Sequence, residues 1–129
     1  MKNYKVKKLN HIFIPVSSLE QSLDFYTNIL GFTEDFKDEV MAGLHFGEEG
    51  NVCTVMLHIA DHPEPVEHGI VIELAVENLE NCLAAVKPSK GRIVQQATER
   101  PWGVREAVIC DPDGYRFWLV EPIPNQNYG

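Results

Sequence analysis

Displacing the sequence by 60 positions lays VSSLEQSL (16–23) on VENLENCL (76–83), so that Val16 meets Val76, Leu19 meets Leu79, Glu20 meets Glu80 and Leu23 meets Leu83. The same displacement sets LHIA (57–60) on FWLV (117–120), apolar on apolar except where His58 meets Trp118. An internal match of this kind means that one supersecondary unit occurs twice. The chain therefore divides into a first module of about 7–60 and a second of about 68–122, with a Pro- and His-containing linker of about 61–67 between them. At 129 residues both modules fit in one domain, 1–129, large enough to build a core without disulfide staples.

Each module opens on a β-rich run, HIFIPV in the first and IVIELAV in the second. A helix follows in each. In SLEQSLDFYTNIL, Leu19, Leu23, Tyr26 and Leu30 recur at three- and four-residue spacing, with Ser18 as cap and Gln21 as its capping-box partner. Asn78 and Asn81 offer a weaker version of that start for NLENCLAAV; Gly31 ends the first helix and Pro88 the second. Three strand-like segments complete each module, about 32–37, 40–47 and 51–59, then about 92–97, 103–110 and 115–121. DPDG (111–114) is the turn between the last two, because proline presets its φ while Asp and Gly tolerate the corner. The expected fold is α+β: βαβββ repeated twice, with helices outside and the sheets curled around a cleft.

The net charge of −8 disfavours a phosphate-backbone partner, whose affinity rests on Lys and Arg, so no nucleic acid is expected. The opening MKNYKVKKLNH carries basic residues with no apolar stretch behind them, and no apolar run is long enough to span a bilayer. Neither signal peptide nor membrane contact is expected, and a cytoplasmic setting is. Cys53, Cys82 and Cys110 form no CxxC pair and read as reduced thiols. P-loop, GxGxxG, GxSxG and HExxH patterns are absent.

HIFIPVSSLEQSLDFYTNILGF resembles the opening of vicinal-oxygen-chelate modules, with a His-led strand and a helix carrying FY and ending in LGF. PWGVREAVICDPDGYRFWLVE resembles their closing strands, most of all in the bleomycin-resistance branch, where a WGxRE segment precedes DPDG. The resemblance covers almost the whole chain. It implies the glyoxalase/bleomycin resistance/dioxygenase fold and, by analogy, a homodimer. Activity is left open, since that family spans isomerases, lyases, dioxygenases and metal-free drug binders.

Metal-using members hold one divalent ion on the first and last strand of each module, and the repeat carries those positions onto His11, His58, Val71 and Trp118. Val71 and Trp118 offer no suitable lone pair. A metal would need an off-pattern carboxylate, and Glu73 shares the face of Val71 because strand side chains alternate. Two readings stay open. The first is a small-molecule binder with no cofactor, whose pocket uses Trp102, Arg116 and Trp118 through stacking and cation–π contact. The second is a metal-dependent lyase, isomerase or dioxygenase holding Fe, Zn, Ni or Mn on His11, His58 and Glu73, with Glu73 or Glu121 as base. His45, His62 and His68 are expected at the surface, and Arg105 and Glu106 as a structural pair.

Overall fold

The computed structural model describes residues 3–124. Two four-stranded mixed sheets share one strand plan. The first contains β1 (Ile12–Val16), β2 (Thr33–Lys37), β3 (Met41–Phe46) and β4 (Cys53–Ile59) in the order β1-β4-β3-β2. The second contains β5 (Ile72–Ala75), β6 (Arg92–Glu99), β7 (Val104–Cys110) and β8 (Arg116–Pro122) in the order β5-β8-β7-β6. In each, the first strand runs parallel to the last and the other pairings are antiparallel. The duplicated βαβββ plan expected from the repeat is the observed one.

Strand register refines that repeat. Ile14 lies opposite Leu57 in the first sheet, and its counterpart Leu74 lies opposite Leu119 in the second. The displacement is thus 60 on the first strand and helix but grows to 62 on the last strand, because the second module carries a longer path to β8. Met56, not His58, is therefore the structural counterpart of Trp118.

Helix α1 (Leu19–Asp24) begins where Ser18 Oγ accepts the backbone N–H of Gln21 at 3.2 Å. The helix expected to continue to residue 30 instead widens into a π-helical segment, Phe25–Ile29, closed by Leu30 N–H on the carbonyl of Phe25. The wider turn lets two successive aromatics point inward, Phe25 and Tyr26 both being buried. Gly31, at φ 78°, then reverses the chain.

Helix α2 (Leu79–Val86) starts differently from expectation. Asn78 sits in the left-handed region at φ 61° and its side chain caps nothing. The carboxylate of Glu121 does so instead, accepting from Asn78 N–H at 2.6 Å and Leu79 N–H at 3.2 Å.

One apolar core joins the modules. Ile14, Val16, Val55 and Leu57 from the first sheet and Ala107, Ile109, Phe117 and Leu119 from the second belong to it, together with Leu19, Leu23, Phe25, Tyr26, Leu79 and Leu83 from the helical segments. The Tyr26 ring meets Phe117 at 6.0 Å. Tyr26 Oη also donates to Asp111 Oδ2 at 2.7 Å, and Asp113 accepts from Ser17 N–H at 3.1 Å. The DPDG turn is thus the bolt between modules. Each helix packs one face into this core, which leaves the opposite face of each sheet more open.

Candidate functional site

Alternation assigns the outward faces. In the first sheet, residues of opposite parity to buried Ile14, Val55 and Leu57 are Phe13, Thr54, Met56 and His58. In the second, they are Glu73, Arg116, Trp118 and Val120, with Val108 beside Trp118 across the β7–β8 pair. Both faces carry apolar surface: Phe13 is 63% exposed and Val71 50%, and Met56 and Trp118 are half-buried.

Within one chain His11 and His58 are not brought together. His11 lies beside Thr54, and its Nδ1 is 2.7 Å from Thr54 Oγ1. His58 pairs with Pro15, four residues further along the same two strands, or about 13 Å away at strand rise. The reason is the register change: slots read at a uniform displacement land one alternation too far on β4. The four equivalent positions are His11, Met56, Val71 and Trp118, of which His11 alone is an ordinary ligand for a divalent ion. Among the described residues, no three His, Cys, Asp or Glu side chains gather with metal-binding geometry. The donor set does not fit a catalytic metal, which calls for about three protein ligands.

Glu73 is exposed and stands directly opposite Trp118 in the β5–β8 pairing, on the same face. Glu121, weighed as a base, is committed to the start of α2. Arg116 and Trp118 share a hollow of about 180 Å³ with Val71, Val94, Gln95 and Val108. Arg116 bonds Glu67 there at 2.9 Å, which offsets its charge locally. Trp102 is 59% exposed in the β6–β7 turn, beyond the level of Val104, and does not join Trp118 within one chain. Arg105 and Glu106 do not pair with each other, since neighbours on a strand face opposite ways. Arg105 bonds Glu80 on α2, and Glu106 bonds Arg100 at 3.3 Å on the outward side.

His45 pairs with Asp35 at 2.7 Å and borders a larger groove of about 920 Å³ between the modules. That groove runs along β5 and the start of α2 on one side and past Phe32 and Phe46 on the other; no local pattern marks it because its walls come from both modules. His68 is fully at the surface, beside Glu67. The three cysteines are free, and burial pushes the Cys82 and Cys110 thiols up, away from thiolate chemistry.

The family described as Glyoxalase/Bleomycin resistance protein/Dioxygenase superfamily matches residues 8–119. Curated relatives include a lactoylglutathione lyase of Escherichia coli O157:H7, 26% identical and covering 88% of this chain and 92% of that protein. Another is a lactoylglutathione lyase of Neisseria meningitidis serogroup A, 27% identical over 88% and 90%. Among solved structures, a superfamily member from Sphaerobacter thermophilus DSM 20745 superposes with a TM-score of 0.68 at 27% identity, over 90% of this chain and 98% of that one. A family enzyme from Burkholderia phytofirmans PsJN, 14% identical, shares the fold with a TM-score of 0.73 over 88% and 98%. With its duplicated βαβββ plan and a match through both modules, the chain belongs to the glyoxalase/bleomycin resistance protein/dioxygenase superfamily.

Proposed function

We propose that this protein binds a small planar organic molecule, without a catalytic metal, in a cleft completed by a second copy. The slot composition carries this reading: Met56, Val71 and Trp118 stand where a chelating member would need donors. A thioether, an isopropyl group and an indole make an apolar, aromatic floor instead. The hollow over Trp118 is smaller than the roughly 300–1,000 Å³ usual for a small-molecule site. It is the right size for half of one. A two-fold dimer that laid the Phe13–Met56 face of one copy over the Val71–Trp118 face of the other would cover both exposed apolar faces and enclose the ligand. Trp118 would stack on the ligand, Arg116 would hold its edge, and Glu73 beside Trp118 would favour a cationic or hydrogen-bond-donating substituent.

A metal-dependent lyase, isomerase or dioxygenase is the second reading, favoured by the similarity to lactoylglutathione lyases. On this fold it would rest on His11 of one copy and Glu73 of the other, with no third donor and with His58 too far along the sheet.

The test is a fluorescence screen in a Trp102→Phe background, leaving Trp118 as reporter, alongside native mass spectrometry. Saturable quenching of Trp118 by planar aromatic compounds on a dimer, weakened in Arg116→Ala, is expected. A monomer with no saturable quenching would end the binding reading.

A further inference from the structure

We infer that Glu67 holds the place on Arg116 that a ligand carboxylate takes over, so that the hollow over Trp118 admits a planar organic carboxylate in exchange for Glu67. The inference rests on the binding reading above and names the chemical class of its ligand.

Three observations carry it. The first is where the wall of the hollow comes from. Val66, Glu67, His68, Ile70 and Val71 line it together with Arg116 and Trp118 of β8, so one side is a strap of irregular chain and not sheet. The second is how little holds that strap. Its ends are fixed: Pro65 lies over Gly114 in the DPDG turn, where an added Cβ would touch its ring at 3.4 Å, and Ile72 pairs with Phe117. Between them, residues 66–71 make no backbone–backbone hydrogen bond among the described residues and contribute nothing to the core, and Val66 and Ile70 stand exposed. The bond from Arg116 to Glu67 is the strap's one polar tie to the sheet among the described residues.

The third is the asymmetry of that pair. The Glu67 side chain is 65% exposed and that of Arg116 28%. An ion pair with so exposed a carboxylate is weak, so exchanging Glu67 for another anion costs little. The guanidinium is the opposite case. It sits beside Trp118, Val71 and Val108, and Glu67 is the one carboxylate within ion-pair reach of it among the described residues. A cation left unpartnered in such a place is costly, so whatever displaces Glu67 brings a negative charge of its own. A carboxylate repeats the chemistry already there and matches the guanidinium fork with two parallel hydrogen bonds. Arg116 and Trp118 stand two residues apart on one face of β8, about 6–7 Å. That spacing seats an aromatic acid with its carboxylate on Arg116 and its ring on Trp118.

The test is calorimetric titration of the full chain with two probes of the same shape, naphthoate and its neutral amide naphthamide. It compares the wild type with Glu67→Gln and Arg116→Gln. The wild type should take naphthoate about tenfold more tightly than naphthamide, the gap between a charge-assisted and a neutral hydrogen-bonded contact. Glu67→Gln should tighten naphthoate by about two- to fivefold, the worth of an exposed ion pair. It should leave naphthamide where it was, because a neutral molecule stacks on Trp118 without evicting Glu67. Arg116→Gln should make the two probes bind alike; the exposed Glu67 carries the test if that variant does not fold. Equal binding of the two probes by the wild type would overturn the inference and leave a site for planar molecules standing. So would a Glu67→Gln variant in which naphthoate does not tighten, or in which both probes shift together as they would if Glu67 only braced the strap. Binding of neither probe would overturn the inference together with the reading it rests on.

Discussion

Changing Tyr26 to Phe removes one hydroxyl from the junction between the modules and leaves the ring packed on Phe32 and Phe117. That hydroxyl donates to Asp111 Oδ2 at 2.7 Å. Asp111 Oδ1 keeps its own donors, the backbone N–H groups of Asp113 at 3.0 Å and Tyr115 at 2.8 Å. The loss is thus one hydrogen bond to a buried carboxylate, worth about 2 kcal/mol. For a domain of this size that is a fall in Tm of roughly 6–10 °C. Urea unfolding followed by far-UV circular dichroism reads it as a lower midpoint at unchanged slope.

The pH dependence gives the argument its sharper edge. Burial raises the Asp111 carboxyl above the ordinary carboxylate range, and the bond from Tyr26 pulls it back down. Between the ordinary value and the raised one the folded state holds a proton that the unfolded chain has released, so this group's contribution to stability falls as pH rises through that window. Without the hydroxyl the folded carboxyl rises further and the window widens. The Tyr26→Phe penalty should be full at pH 7 and shrink as pH falls through it. A penalty under about 0.5 kcal/mol at pH 7, or one that grows in acid, would mean that the Tyr26 hydroxyl does not stabilise the ionised Asp111 carboxylate.

Glu121→Ala should cost about 1–2 kcal/mol in urea unfolding, because the start of α2 loses the carboxylate that caps Asn78 and Leu79 while Asn78 supplies no cap of its own. Gly91→Ala should cost about 1–3 kcal/mol by the same measurement, since its Cβ would land on the Phe25 ring and the carbonyl of Cys110. His58→Ala should change stability by less than about 0.5 kcal/mol, as an exposed strand-end side chain with no hydrogen-bond partner among the described residues.

The duplication was readable because β1, α1 and their copies keep a constant displacement, and Val16/Val76 and Leu19/Leu79 expose it. It failed on β4, where LHIA and FWLV match in hydrophobicity at a displacement of 60 although their strands pair at 62. Period-two patterns tolerate a shift of two without losing their apolar match, so only hydrogen-bonded register could choose Met56 over His58. Local rules gave the Ser18 cap and the DPDG turn. They could not give the Glu121 cap, the Arg105–Glu80 pair or the Tyr26–Asp111 bond, whose partners lie 25 to 85 residues apart. The joining of the two modules likewise depends on Tyr26 reaching the other module, a contact that amphipathic spacing marks as buried without saying against what.

The most direct test of the account is a calorimetric titration of Zn²⁺, Ni²⁺ and Mn²⁺ into the metal-stripped protein. It runs beside His11→Ala and beside a variant that restores donors to the slots, Met56→Glu with Val71→His and Trp118→Glu. The wild type should show no saturable uptake, and the restored variant should bind about one ion per cleft. Stoichiometric uptake by the wild type, abolished in His11→Ala, would contradict the metal-free reading and turn the protein towards lyase, isomerase or dioxygenase chemistry.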